Sequence, residues 1–351
     1  MTLESFEIVR VLLLSAVAFV VAFAWAPLLI RTLEYWRAGK SIRASSDAPI
    51  VAKLHAKKSG TLTMGGILIW FTVLVIAVVL YYIAPLLDPE SLLARMNFLS
   101  RSEVLLPLGA LVASAIVGFV DDYFNIRRIG PKGGGLRMRH RLLIYTAIAI
   151  VGAWWFHVKL DWDLLHVPFV GDFNIGLWYV PFFILVIVST AFSVNEADGL
   201  DGLAGGALLT SFGAYAVIAF AQGSYDLAVF CGVILGALLA FLWFNIHPAK
   251  FFMGDTGAMS LGVTLGIVAM LTNSALFLPI IGFVFVIESL SVILQIFSRT
   301  VFKRRIFKSS PIHHHLEAIG WPEPQIVMRM WVISMIAAAV GVSFVLLDAL
   351  I

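Results

Sequence analysis

Charge is scarce in this chain. Aspartate, glutamate, lysine and arginine make up only 13% of its 351 residues, about half the share of a typical soluble domain. That scarcity excludes a soluble globular protein. Hydrophobic residues reach 61% and mean hydropathy is +0.97, which points to a polytopic membrane protein. Cysteine occurs once, as Cys231 inside an apolar run, so an intrachain disulfide is excluded and the thiol has a packing role. With no HExxH or cysteine-rich pattern, a zinc site is not expected. Fixed-period repeats and low-complexity tracts are also missing. A cleaved leader is not expected either: Glu4 and Glu7 stand where a positive segment belongs, and the run Ile8–Ile30 is long enough to span a bilayer.

What is abundant is long apolar runs. Ten have the ~17–25 residues that cross a bilayer as a helix, at about 8–30, 64–87, 104–120, 142–158, 177–194, 203–221, 226–244, 257–273, 276–297 and 327–350. The expected fold is therefore all-α, one integral membrane domain over residues 1–351 with about ten transmembrane helices. Pro279 and Gly282 make the ninth a candidate for a bent helix.

Basic residues orient the bundle. The loops 31–63, 121–141 and 298–326 hold seven, six and five of the 24 lysines and arginines, and loop 245–256 adds Lys250. These loops are expected on the cytoplasmic side. An even number of spans then leaves both termini outside the cytoplasm, in a multi-pass protein of the bacterial inner membrane. Anionic membrane lipids are expected partners of some of these cations; a nucleic-acid partner is not expected.

The same face collects the polar motifs. Loop 121–141 opens on Asp121-Asp122. The stretch 195–206, NEADGLDGLAGG, carries Glu196, Asp198 and Asp201 among glycines that let the backbone turn tightly against a ligand. Loop 245–256 ends at Asp255 between Gly254 and Gly257, after the aromatic pair Phe251-Phe252. The last long loop holds His313, His314 and His315, and the first contributes His55, Lys57 and Lys58. On the opposite side Asp161, Asp163 and Asp172 read as ordinary solvated charges. Carboxylates at the edge of apolar spans call for a partner, water or a metal, and two adjacent ones repel unless a cation relieves them. Oxygen ligands, cations and histidines gathered on one membrane face fit a magnesium-assisted phosphoryl site with a partly lipid substrate.

Five motifs in order carry a family resemblance: SGTLTMGG at 59–66, VGFVDDY at 117–123, VNEADGLDGLAGG at 194–206, FLWFNIHPAKFFMGDTGAMSLG at 241–262 and PIHHHLEAIGWPEPQIVMRMW at 311–331. Over almost its whole length the chain resembles the phospho-N-acetylmuramoyl-pentapeptide transferases. These are a branch of the polyprenyl-phosphate N-acetylhexosamine-1-phosphate transferase superfamily, and the unbroken histidine triplet points to the muramoyl branch.

The resemblance implies transfer of phospho-MurNAc-pentapeptide from UDP-MurNAc-pentapeptide to undecaprenyl phosphate, giving lipid I and UMP with Mg2+ required. It implies that Asp255 binds the metal, and that Asp121 and Asp122 lie near the attacking lipid phosphate, one of them a proposed base. Asn195, Asp198 and Asp201 line the nucleotide side, with Asn245 and Phe252 in nucleotide contact. His313 is expected to act catalytically, in a loop that closes with His314 and His315 over the diphosphate or sugar; Lys57, Lys58 and Lys132 are weaker substrate-binding matches. The rival readings are a GlcNAc-1-phosphate transferase of the sister branch and, from another class, an ion-coupled transporter. A homodimer stays open as a further partner. Three departures from the family pattern stand out: Asn125 where a lysine is usual, with Arg127 and Arg128 as the nearest substitutes, Glu196 where leucine is usual, and His247 where tyrosine is common.

Overall fold

The computed structural model describes residues 3–39, 58, 60–99, 103–130 and 135–351. Lys57, Lys132 and His55 lie outside the described residues. Among those described, ten helices are long and apolar enough to cross a membrane. They are α1 (Leu3–Tyr35), α2 (Ile67–Ile83), α3 (Leu105–Ile126), α4 (Met138–Trp154), α5 (Tyr179–Ala197), α6 (Leu203–Ala221), α7 (Tyr225–Asn245), α8 (Gly254–Leu271), α9 (Phe283–Val301) and α10 (Glu323–Asp348). The all-α polytopic fold expected from the apolar runs is the fold observed.

Helix α8 is the axis of the bundle. All eighteen of its residues are buried, and it packs chiefly against α3 and α5. Between membrane helices there is little hydrophobic driving force, so close approach of small residues holds the bundle together. A Cβ on Gly118 of α3 would fall 2.3 Å from the Asp255 carbonyl oxygen, and one on Gly262 of α8 would fall 2.8 Å from Cα of Ala191 in α5. Hydroxyls inside α8 are satisfied by their own helix: Ser260 and Thr264 each donate to a carbonyl one turn back, at 2.7 Å. The early charges of α1 find partners as well. Arg10 lies 2.9 Å from Glu7 and 2.6 Å from Asp226 at the start of α7, which makes buried charge tolerable.

Two features differ from the sequence expectation, and a third refines it. Asp121 and Asp122 do not open a loop; they are helical residues in α3, which runs on to Ile126 because both carboxylates have partners inside the protein. The ninth run, expected to bend at Pro279 and Gly282, does break there, into two helices, Leu278–Ile281 and α9, which meet at Gly282. Between α4 and α5 stands a small antiparallel hairpin, β1 (Leu164–Val167) and β2 (Gly171–Asn174), where no strand was expected.

The hairpin also corrects the reading of Asp172 and Asp163 as merely solvated. His166 Nδ1 lies 2.8 Å from Asp172, and its Nε2 contacts Asp348 at the end of α10. Asp163 accepts from Asn174 at 2.6 Å. Burial alone would lower the His166 pKa, but the hydrogen bonds and charges of Asp348 and Asp172 outweigh it and the net direction is up. A raised imidazole pKa stabilises the fold fully below the unfolded value of about 6.5, and that stabilisation fades as pH rises through the folded value. The melting-temperature gap between wild type and His166→Asn should therefore be widest near about pH 6 and narrow toward about pH 9. A gap that widens with pH contradicts this pairing.

Candidate functional site

The site lies where the N-terminus of α8 meets the ends of α3 and α5 and the start of α4. Its centre is Arg141, one turn into α4. Its Nη2 lies 2.7 Å from Asp121 Oδ2 and 2.7 Å from Asp255 Oδ2, and Nη1 donates to Asn195 Oδ1 at 3.0 Å. Asn195 Nδ2 completes the ring by donating to Asp255 Oδ1 at 2.7 Å. Asp121 Oδ1 accepts from the Leu136 amide at 2.6 Å, and Asp122 Oδ2 from the Thr256 amide at 3.0 Å. Asp255 sits in the first turn of α8, where the helix dipole favours negative charge. Carboxylates from α3 and α8 thus converge on one cation, held by a guanidinium whose planar fork suits several acceptors at once. Arg141 Nε is buried and has no hydrogen-bond partner among the described residues.

Backbone pairing explains why distant motifs come together. The Phe252 amide donates to Leu62 O, Gly65 to Phe252 O and Gly66 to Met253 O, each at 2.8 Å, so the first motif is zipped onto the approach to α8. Gly254 has φ +74, and a Cβ there would fall 2.6 Å from Asp122 Oδ2, so this position needs glycine for both conformation and space. Asp198 Oδ2 accepts from the Gly254 amide at 3.1 Å and joins the acidic loop to the same turn. Asn245 is buried and braces two segments: Oδ1 accepts from Gly202 N at 3.0 Å and Nδ2 donates to Phe251 O at 2.8 Å. From the last motif, Trp331 Nε1 donates to Gly202 O at 3.0 Å.

A second cluster stands beside the first. Lys58 Nζ lies 2.6 Å from Asp201 Oδ1 and also contacts Glu323, while its ammonium sits 5.7 Å over the Phe252 ring. His247 Nδ1 is 2.8 Å from Asp201 Oδ2. Burial would raise the Asp201 pKa, but the Lys58 hydrogen bond and charge, the Ala249 amide and His247 hold its carboxyl below the usual range. Asp201, His247 and Glu323 have the spacing of a metal group. Lys58 supplies positive charge to this cluster as Arg141 does to the first.

The three histidines diverge. His313, in the helix Ile312–Ala318, is fully buried with Nδ1 2.8 Å from Glu288 of α9. His314 Nδ1 lies 2.8 Å from Glu317. His315 Nδ1 accepts from the Lys308 amide at 3.1 Å.

Of the expected site residues, Asp121, Asn195 and Asp255 are gathered round Arg141, with Asp122 and Asp198 tied to the same turn. The cation beside the acidic pair is neither Arg127 nor Arg128, both of which are exposed; it is Arg141. Sequence reading missed it because the loop's basic residues are already explained by orientation. The available signal was phase: Arg141 shares one helix face with Tyr145, Ala149 and Gly152, all buried, whereas Arg139 is exposed.

Buried carboxylates facing a single cation, at one end of the ten long apolar helices among the described residues and with glycine turns on either side, give a polytopic membrane protein with a charged site where its spans end. The sequence model of glycosyl transferase family 4 matches residues 104–273 and so includes Asp121, Asp122, Arg141, Asn195 and Asp255. The chain is 39% identical to the phospho-N-acetylmuramoyl-pentapeptide-transferase of Chloroflexus aggregans, over 97% of this chain and 91% of that protein. It is 39% identical to the Geobacillus sp. protein of the same name, over 93% and 94%. Against that of Desulfosudis oleivorans the identity is 38%, over 95% and 92%. The chain belongs to the phospho-N-acetylmuramoyl-pentapeptide-transferase family.

Proposed function

We propose that the chain transfers phospho-MurNAc-pentapeptide from UDP-MurNAc-pentapeptide to undecaprenyl phosphate, forming lipid I and releasing UMP. The observation that carries this reading is the convergence of Asp121 and Asp255 on Arg141 where the membrane helices end. A phosphoryl donor needs such a place: charged, largely closed to water and within reach of a lipid headgroup. The excess of lysine and arginine in the loops on this face supports a cytoplasmic site with both termini outside the cytoplasm, in a protein of the bacterial inner membrane.

Asp121 and Asp255 already share one cation, the Arg141 guanidinium, at 2.7 Å each, and carboxylate oxygens are the ligand type a hard divalent ion takes. Asp255 would hold Mg2+, with Asp121 beside it. When bound, the ion neutralises charge on the diphosphate and the leaving UMP. The remaining work falls to the chain. A lipid phosphate with a second pKa of about 6 is largely ionised at pH 7, so its oxygen needs orientation more than deprotonation. Asp121 or Asp122 positions that oxygen, and Arg141 presents its unpaired Nε–H to phosphoryl oxygens. The new bond forms between the lipid phosphate oxygen and the sugar-bearing phosphorus. The bond to the bridging oxygen breaks, and UMP departs with the electron pair. Asn195, Asp198 and Asp201 line the nucleotide side, where Phe252 offers a ring face backed by Lys58. Asn245 shapes that side through the two backbones it braces.

The test is UMP release by purified protein, with and without undecaprenyl phosphate. Release that needs the lipid and stops on chelation of magnesium supports direct transfer. A phosphorylated aspartate trapped with donor alone sinks direct transfer in favour of two displacements.

A further inference from the structure

Glu288 is a carboxylate within a membrane-spanning helix, and none of its surface is exposed. Such groups are costly and are kept for a partner. Its partner is His313: Oε2 lies 2.8 Å from Nδ1, and both side chains are 0% exposed. The other imidazole nitrogen, Nε2, is buried with no hydrogen-bond partner among the described residues. It abuts Gly199, where a Cβ would fall 2.2 Å from it. Gly199 follows Asp198, which is bonded to the turn that carries Asp255. The open nitrogen therefore faces the acidic loop from the side opposite Glu288.

Helix α9 is built to hold this arrangement. Glu288, Ser291, Gln295 and Ser298 are buried along one face. Gln295 Oε1 accepts from the Ile306 and Phe307 amides at 3.1 and 3.0 Å, and its Nε2 donates to Phe307 O at 2.9 Å. Ser298 donates to Arg304 O at 3.0 Å. Ser289 donates to Ser193 of α5 at 2.7 Å, which fixes α9 against the helix that leads into the acidic loop. The His314 ring lies 4.1 Å from that of His313 and limits its rotation.

We propose that Glu288 is a positioning residue, whose carboxylate holds the Nδ1–H of His313 and so aims Nε2 past Gly199 at the phosphate oxygens of the donor. This rests on the function proposed above. A partner on one ring nitrogen fixes the role of the other, and an imidazolium Nε2–H is a charge-assisted donor to phosphate. Burial lowers the His313 pKa, yet Glu288 on α9, Glu317 on the same short helix and Glu196 on α5 together hold it above its usual value. These carboxylates favour the imidazolium, the form in which Nε2 carries a proton.

The experiment compares wild type, Glu288→Gln, His313→Gln and the double variant in kcat, KM and pH profile, with melting temperature as a fold control. Glu288→Gln should lower kcat about 10–100-fold, the usual effect of removing the outer partner of a functional imidazole. KM for the lipid should stay unchanged, and the alkaline limb of kcat should move to lower pH. The double variant should lose no more than His313→Gln alone, because Glu288 acts through that ring. Turnover of Glu288→Gln within about twofold of wild type, or multiplicative losses in the double variant, overturns the proposal. If Glu288→Gln does not fold, 15N resonances of histidine-labelled wild type in lipid vesicles decide it. A hydrogen-bonded Nδ1–H on His313, with an Nε2 signal that moves on adding UDP and magnesium, is expected. A bare Nδ1 or an unmoved Nε2 refutes it. Wild type that turns over neither UDP-MurNAc-pentapeptide nor UDP-GlcNAc would defeat the proposed function, and the same nitrogen signals would still read the pair.

Discussion

Replacing Asp255 by asparagine should lower turnover by about a thousandfold or more, while the protein remains folded. The substitution keeps the size of the side chain and its hydrogen bond with Asn195 but removes the charge at the start of α8. A metal held there contributes several kcal/mol of charge stabilisation, and each ~1.4 kcal/mol is about tenfold in rate. Loss of the charge leaves Arg141 with Asp121 as its carboxylate partner, so the guanidinium stays paired and melting temperature should change little. Steady-state UMP release at saturating magnesium measures the effect. Turnover within about tenfold of wild type would move the metal away from Asp255.

Arg141→Met should be nearly as damaging to turnover and more damaging to stability. Its guanidinium separates Asp121 and Asp255 at 2.7 Å each and anchors Asn195. Removing one partner of a buried charge network leaves uncompensated carboxylates, at about 3–5 kcal/mol. The lost phosphoryl contact adds about a hundred- to a thousandfold in rate. Arg141→Lys keeps the charge and loses the fork, so it should recover most of the melting temperature but only part of the turnover. Assaying both variants alongside thermal unfolding separates the two effects. If Arg141→Met matches wild type in turnover, the guanidinium is structural alone.

Much of this arrangement was legible in the residues. The ten apolar runs correspond to ten long helices, and Pro279 and Gly282 marked the interruption before α9. Asp121, Asn195 and Asp255 were singled out on one face, and they meet there. What escaped notice follows from how such proteins keep charge. Arg141 was hidden among arginines that orientation alone requires. Glu288 stood unremarked in an apolar run, although a carboxylate there marks a functional group by default. Asn245, singled out for nucleotide contact, also braces the backbone, through hydrogen bonds to Gly202 and Phe251 that sequence spacing does not reveal. The hairpin at 164–174 carried no alternating pattern, and Asp172 and Asp348 on His166 tie it down.

The central claim is that this site acts on a muramoyl donor. It is tested most directly by identifying the lipid product formed from undecaprenyl phosphate and magnesium with UDP-MurNAc-pentapeptide or with UDP-GlcNAc. Mass spectrometry of the extracted lipid should find the phospho-MurNAc-pentapeptide adduct with the first donor and none with the second. A GlcNAc-diphosphate lipid made from the second donor alone would contradict the account and assign the chain the activity of the sister branch.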